Sequence, residues 1–363
     1  MRAAVYHGPG DVRFEDMPIP VAGEGELLVD VATVGICGSD VGEYVHEPHF
    51  FPIKERHPFS RHLGPTIPGH EFSGVVAVVG PGVEGFSVGD LVASGAGVAC
   101  GHCPPCRRGS TNMCESYWTV GLHAHGGMAE QVAVPASCCM NLSAFSMSAD
   151  LAALAQPMSI AVHASRRGRV GEGDVVTVLG TGGIGTFITY AAAAAGATVT
   201  AVDLDQSRLE VAAALGATRT INASDAGDVG SRISADVGPP TLMFECTANS
   251  DSLKLAVRTV ADNGRVVIVG HQPQPFAFDF KQVSFGEKEL IGTMAHAFAS
   301  DFGAAIEMIN RNPEVWAKVA PTVHPLENFL TAGLTPMVER RQSQIKTLFD
   351  PSLNEPRPLR IKP

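Results

Sequence analysis

Two rhythms of apolar residues divide the chain. Over the first 155 residues the apolar runs are short, as in "ELLVDVATV", "GVVAVVG" and "DLVASGAGVA", and Gly and Pro turns separate them. Runs of that kind predict the strands of a barrel-like β domain. From about Gly173 apolar strands alternate with Ala-rich helical stretches: "DVVTVLG", "TFITYAAAAAGA", "TVTAVDL", "SRLEVAAALGA", then "TLMFECT" and "GRVVIVG". Strand and helix in alternation predict an α/β unit, a parallel sheet covered on both faces. The alternation stops after "LIGTMAH", and the tail from about residue 298 carries one predicted helix, "DFGAAIEMINRN", and a late strand, "IKTLFD". Residues 46–66, "HEPHFFPIKERHPFSRHLGPT", read as a loop rich in Pro, His and aromatic residues. It is longer than compact domains usually carry, and long loops are often functional.

Composition narrows the picture. A chain of 363 residues suits two domains, and 45% hydrophobic with 17% charged residues suits globular ones. The formal charge of −11 repels polyphosphate, so nucleic acid is not an expected partner. Val175 to Val202 runs 28 residues without a charge, but five glycines and six threonines interrupt it. A strand, loop, helix and second strand explain that run better than a membrane span. Only three residues separate Arg2 from Tyr6 and His7, too few for a signal-peptide apolar region, and a cytoplasmic protein is expected. In a reducing compartment eight cysteines are expected as metal ligands or buried small hydrophobes rather than disulfides.

"VVTVLGTGGIGT" places Gly180, Gly182 and Gly185 in G-x-G-x-x-G spacing, with Gly183 and Ile184 between, directly after an apolar strand and before an Ala-rich helix. The first two glycines permit a tight turn and close backbone approach, the third lets the helix pack on the sheet, and the helix N-terminus offers N–H groups to a pyrophosphate. Asp203 lies 18 residues beyond Gly185, at the end of the next apolar run. A carboxylate there can accept from a ribose 2′-OH and repel a 2′-phosphate, which favours NAD over NADP. Arg208, five residues on, is a further candidate cofactor contact.

"CGHCPPCRRGSTNMC" holds Cys100, Cys103, Cys106 and Cys114 in C-x2-C-x2-C-x7-C spacing. Four thiolates suit tetrahedral zinc in a closed, structural site. An iron–sulfur cluster of the bacterial type would place the fourth cysteine after x3, and it remains open beside disulfides as a lesser alternative. An open metal site has to come from elsewhere. "GICGSD" and "PGHEFSG" supply Cys37, His70 and Glu71, a thiolate, an imidazole and a carboxylate that can hold zinc with one position left for substrate.

Taken together, "CGSD", "GHEFSG", the four-cysteine lobe, the "AVHA" segment and the dinucleotide turn make the chain resemble the zinc-dependent medium-chain alcohol dehydrogenases, most of all their 2,3-butanediol and polyol branch. The likeness runs from "MRAAVYHGPGDVRFEDMPIP" to "QIKTLFDP", and the loop at 46–66 resembles an insertion of the butanediol enzymes. The resemblance implies a GroES-like β-barrel catalytic domain, 1–155 completed by 298–363, split around a Rossmann domain of 156–297, with the active site in the cleft between them. It implies two zincs per chain and NAD, a small alcohol or ketone as substrate, and a homodimer or homotetramer. It also implies that Ser39 starts a proton relay, that Asp40 orients His70, that Thr247 and Gly270 line the nicotinamide side, and that Lys346 lies near the cofactor phosphates.

Two departures stand out. Gly42 occupies the place of a relay histidine in close relatives, for which His46, His49, His57 or His62 of the long loop, or water, could substitute. Gln156 occupies the place of a glutamate near zinc. With Cys37 and Glu71 anionic, that change takes the formal charge around zinc from −3 to −2, which balances Zn²⁺ and sharpens its Lewis acidity. The expected activity is the interconversion of a secondary alcohol and its ketone by hydride transfer, on a diol, hydroxyketone or cyclic alcohol. The alternatives are a tailoring reductase of a bulkier substrate and a non-catalytic, zinc-stabilised NAD-binding module.

Overall fold

The computed structural model of the chain describes every residue except Ala226, Pro273, Ser343 and Pro363. The chain divides into two compact units, Met1–Ser159 together with residues from His296 onward, and the continuous Ile160–Ala295. These boundaries lie four residues after and two residues before the expected ones.

The organising strand of the first unit is Glu26–Gly35, the "ELLVDVATVG" run, whose residues alternate only loosely because most are buried. Along one side it pairs antiparallel with Glu71–Val79. Along the other, its first half pairs with Gln131–Pro135 and its last two residues with Leu348–Asp350. The C-terminal segment therefore returns to complete the sheet that the N-terminal segment began. Leu27, Val29, Phe72, Val76, Val134 and Phe349 fill its core. An N-terminal hairpin, Arg2–Gly8 with Asp11–Asp16, forms a separate two-stranded sheet, tied to the rest of the unit by isolated bridges from Ala3 to Ala129 and from Tyr6 to Thr66.

A buried charge network fastens the returning tail. Asp150 is 2% exposed and accepts from Thr33 Oγ1 at 2.7 Å, from both terminal nitrogens of Arg357 at 2.5 and 3.0 Å, and from the backbone N–H of Arg360 at 2.7 Å. Arg357 also donates to Asp350 at 2.9 Å.

The long loop is irregular but well anchored. Glu43, buried on the helix Gly38–Val45, accepts from the backbone N–H groups of His49, Phe50 and Phe51 at 3.0 to 3.2 Å. Further along, Ser60 and Ile67 donate their backbone N–H groups to Nδ1 of His57 and of His125, each at 3.1 Å. His123 Nδ1 likewise accepts from Thr119 N–H. An Nδ1 that accepts cannot carry a proton, so these rings are held neutral. They also meet in pairs, His57 with His123 and His62 with His125, each with 4.5 Å between centroids.

In the second unit six parallel strands stand in the spatial order Arg219–Asn222, Thr198–Asp203, Val175–Leu179, Leu242–Glu245, Arg265–Ile268 and Glu289–Gly292. In chain order that is 3-2-1-4-5-6, the doubly wound arrangement with its switch point between Val175–Leu179 and Leu242–Glu245. The apolar runs form strands because both faces are covered, and Leu179, Val202, Met243, Val257 and Val266 make up one core. The charge-free run from Val175 resolves into strand, turn, the ten-residue helix Gly185–Ala194, and strand. Among the described residues no helix is long and apolar enough to cross a membrane.

Two measurements test this packing. Asp150→Ala should lower unfolding free energy by about 3 kcal/mol, since a cation loses its buried partner but keeps Asp350, as read from the shift in urea midpoint. Burial and the neighbouring imidazoles hold His123 and His125 down at about 4. The unfolded rings take up a proton near their ordinary value of about 6.5, so stability is complete above that pH and declines as pH falls toward 4. His125→Asn keeps an acceptor at the Nδ1 position and should flatten that decline in melts recorded between pH 7 and 4.5.

Candidate functional site

Strand register alone assembles the first site. Gly35 stands between Glu71 on one neighbouring strand and Leu348 on the other. A Cβ at Gly35 would come 2.6 Å from Glu71 Oε2 and 3.3 Å from Leu348, so only glycine lets the carboxylate lie across that strand. Two residues on, Cys37 is the N-cap of the helix Gly38–Val45, and Asp40 Oδ2 accepts from the Cys37 backbone N–H at 2.8 Å. That capping box fixes the turn that carries the thiol.

Among the described residues two groups of Cys, His and acidic donors converge. In the first, one ligand atom each from Cys37, His70 and Glu71 lie within 4.8 Å of one another. Buried polar atoms that no hydrogen bond satisfies include His70 Nδ1 and Glu71 Oε1 of this group, Ser39 Oγ and Asp40 Oδ1 on the helix that follows Cys37, and, elsewhere in the unit, Gln156 Oε1. Buried polar groups are costly without partners, so orphans at an imidazole and a carboxylate that converge with a thiol fit a bound metal ion. The donor types suit zinc with room for another ligand. Burial and the nearby Glu71 push the Cys37 thiol up, and burial pushes Asp40 up to about 7.

Lys346, expected near the cofactor phosphates, has its partners beside Cys37 and Glu71. It is buried, its Nζ donates to the carbonyl of Ile36 at 2.8 Å, and it forms an ion pair with Glu71. Burial alone would lower the ammonium, but Glu71 and Cys37 outweigh it and hold Lys346 above its ordinary value. The register explains these partners, since it sets residue 346 two positions before Leu348, the partner of Gly35. Its charge also amends the formal sum: Cys37, Glu71 and Lys346 together carry −1 rather than −2.

Asp40, expected to orient His70, has its Oδ1 at 3.9 Å from His70 Nδ1, beyond hydrogen-bond reach, while its other oxygen serves Cys37. Gln156 is buried. At Gly42, and at Gly38 one turn earlier, nothing lies within 4 Å of where a Cβ would point. His46 donates its backbone N–H to Gly42, His49 stands edge-on to Phe50, and His57 and His62 are engaged within the loop. None of the four belongs to either convergent donor group.

The second group is Cys100, Cys103, Cys106 and Cys114, whose sulfurs again lie within 4.8 Å of one another. The Cys103 sulfur is 3.4 Å from that of Cys106 and 3.8 Å from that of Cys114, much farther than a disulfide of about 2.05 Å. All eight cysteines are free. Backbone N–H groups of Cys100 and Ser116 point at Cys114, and that of Cys103 at Cys100. Donors from His102 and Cys103 draw Cys100 down to about 6, while burial pushes Cys106 up to about 12. Four convergent sulfurs with N–H donors match a closed tetrahedral site.

In the second unit Gly180 has φ +86°, and a Cβ at Gly185 would lie 1.8 Å from the Gly180 carbonyl oxygen. Ile184 precedes the helix and no side chain caps its N-terminus. Asp203 Oδ2 accepts from Thr181 N–H at 2.7 Å and Oδ1 from Asp205 N–H at 3.0 Å. A carboxylate has about four acceptor positions, so capacity remains. Arg208 reaches within 4.0 Å of Asp203, and its Nη1 lies 3.7 Å from where a Cβ of Gly182 would be. Thr247 packs against Gly180, and Gly270 against Ala248.

Family models match in the same two regions: "Alcohol dehydrogenase GroES-like domain" over residues 23–144 and "Zinc-binding dehydrogenase" over residues 183–311. The (R,R)-butanediol dehydrogenase of Bacillus subtilis is 30% identical over 97% of this chain and 100% of its own length. The chain belongs to the zinc-type medium-chain alcohol dehydrogenases. Within that family it falls in the polyol and butanediol branch. The Bacillus subtilis sorbitol dehydrogenase is 34% identical over 74% of this chain and 75% of its own. The crystal structure of the 2R,3R-butanediol dehydrogenase from that species superposes with a TM-score of 0.89 over 97% of this chain and 99% of the other. The RspB protein of Escherichia coli CFT073, solved with NADH, gives 0.84 at 27% identity over 96% and 99%.

Sequence reasoning missed Lys346 as a partner of Glu71, Glu43 as the loop anchor and Glu245 as a buried acid. No local pattern marks such groups, since their partners lie on other elements. Lys346→Met keeps the stem and removes the charge. The chelator-treated dehydrogenase should lose about 3 kcal/mol, the cost of a buried carboxylate without its cation. Zinc should then raise the melting temperature of the variant more than that of the wild type, and equal increments would argue against the pairing.

Proposed function

We propose that this dehydrogenase interconverts a secondary alcohol and its ketone with zinc and NAD, on a vicinal diol, a hydroxyketone or a cyclic alcohol. The observation that carries this reading is the set of unsatisfied buried atoms around Cys37, His70 and Glu71. Zinc held by those three supplies Lewis acidity toward an alcohol or carbonyl oxygen. A second zinc, held by Cys100, Cys103, Cys106 and Cys114, fixes its lobe and takes no part in chemistry.

Ser39, two residues past Cys37 with an unsatisfied Oγ, is placed to accept the substrate hydroxyl proton and pass it on. Asp40 holds the turn of Cys37, and Lys346 holds Glu71. In the other unit the Gly180–Gly185 turn admits a pyrophosphate at the uncapped helix, with Arg208 beside it. The remaining acceptor capacity of Asp203 suits a ribose 2′-OH and disfavours a 2′-phosphate. Thr247 and Gly270 belong to the loops that would flank the nicotinamide. The butanediol and sorbitol relatives support a substrate with neighbouring oxygens. One observation favours the bulkier alternative: the open space at Gly38 and Gly42, one turn apart on the helix that begins at Cys37.

Metal analysis and NADH consumption with diacetyl, acetoin and a panel of cyclic ketones test the reading on one preparation. Two zincs per chain and turnover on a member of the panel are expected, with NADP a poor substitute. Cys37→Ser should cut turnover by at least about 100-fold, more than outer-partner changes do, with melting temperature little changed. Cys103→Ser should lose one zinc and stability first. The reverse pattern in the two variants would overturn the assignment of the two sites.

A further inference from the structure

One buried acid is used by neither the metal sites nor the dinucleotide turn. Glu245 is the last residue of Leu242–Glu245 and is fully buried. It stands beside Leu179 on the neighbouring strand and Ile268 on the other side. That position is the carboxyl end of the strand at the switch point, where a doubly wound sheet binds its ligand.

The carboxylate ties two loops together. Oε1 accepts from the backbone N–H of Thr247 at 2.7 Å and from its hydroxyl, within the loop after its own strand. Oε2 accepts from Gln272 Nε2 at 3.1 Å, within the loop after the next strand. Its backbone carbonyl accepts from Val269 and Gly270 N–H, each at 2.9 Å. A Cβ at Gly270 would come 2.9 Å from Oε2 and 2.3 Å from Ala248 N, so the two loops touch around this group. Among the described residues no cation pairs with Glu245. Burial raises this acid above its ordinary value, and hydrogen-bond donors alone support its charged form.

With Asp203 on the second strand placed for the adenosine ribose, the half-sheet containing Glu245 is left for the nicotinamide nucleotide. That ring is cationic in NAD⁺ and neutral in NADH. We propose that Glu245 is a positioning residue that orders the loops at Thr247 and Gly270 and, through its uncompensated charge, favours binding of the oxidised cofactor over the reduced. The inference rests on the reading of the chain as an NAD-linked enzyme.

The experiment measures dissociation constants of NAD⁺ and NADH for the zinc-loaded full chain, by NADH fluorescence and its displacement. Glu245→Gln keeps the shape and one acceptor oxygen while removing the charge. It should weaken NAD⁺ by about tenfold while leaving NADH within about twofold, as expected for loss of one charge in a poorly screened site. A purely structural role would weaken both cofactors alike and leave their ratio unmoved. Gln272→Leu removes a donor to Oε2 but keeps the charge. It should raise KM for NAD⁺ and affect kcat less, and it tests the loop-ordering part should Glu245→Gln not fold. A wild type that binds neither cofactor would sink the NAD reading itself. A wild type that binds both, with a Glu245→Gln ratio unchanged or a Gln272→Leu without effect, would overturn this inference alone.

Discussion

The ion pair between Lys346 and Glu71 is the constraint on which the first unit turns. An ammonium and a carboxylate taken out of water are tolerated only when they find each other, and here they stand 275 positions apart in the chain. The ammonium also grips the carbonyl of Ile36, one residue before Cys37. One cation thus locks the three strands whose register creates the site. Asp150 and Arg357 repeat the device at the other end of the same returning segment, so charge pairs join strand pairing and the burial of Phe349 in specifying where the tail must lie.

The fold was largely legible because its signals are local. Short β-branched runs, Gly turns and an Ala-rich helix after a glycine fingerprint each fit in a window of a dozen residues, and the structure places strands and helices on them. Elements without such a signal escaped notice. Arg219–Asn222, "RTIN", is a four-residue edge strand that is defined mainly by its pairing with Thr198–Asp203. The hairpin at the N-terminus and Gln131–Pro135 are of the same kind.

At the site, residue types with fixed spacing could be read from sequence: four cysteines, Cys37 with the His70–Glu71 pair, and the three glycines. What could not be read is which atom faces which. Asp40 turned out to spend one oxygen on the helix start at Cys37, and Lys346 to spend its charge on Glu71. Both are decided by strand register and capping geometry, which compare residues far apart or on different elements. The charge balance around Cys37, His70 and Glu71 changed for the same reason, because a cation contributed by the tail has no signature near residue 37 or 71.

The discontinuity of the first unit has a consequence during synthesis. Residues 160–295 form a continuous unit that holds its own sheet and core, so it can close while the ribosome is still adding the tail. The N-terminal segment cannot do the same. Its Glu71 and Asp150 emerge early and meet their cations only once residues 346 and 357 are made, after the second unit. Cys37, His70 and Glu71 therefore share their cluster with a cation that is made only after the whole of the second unit.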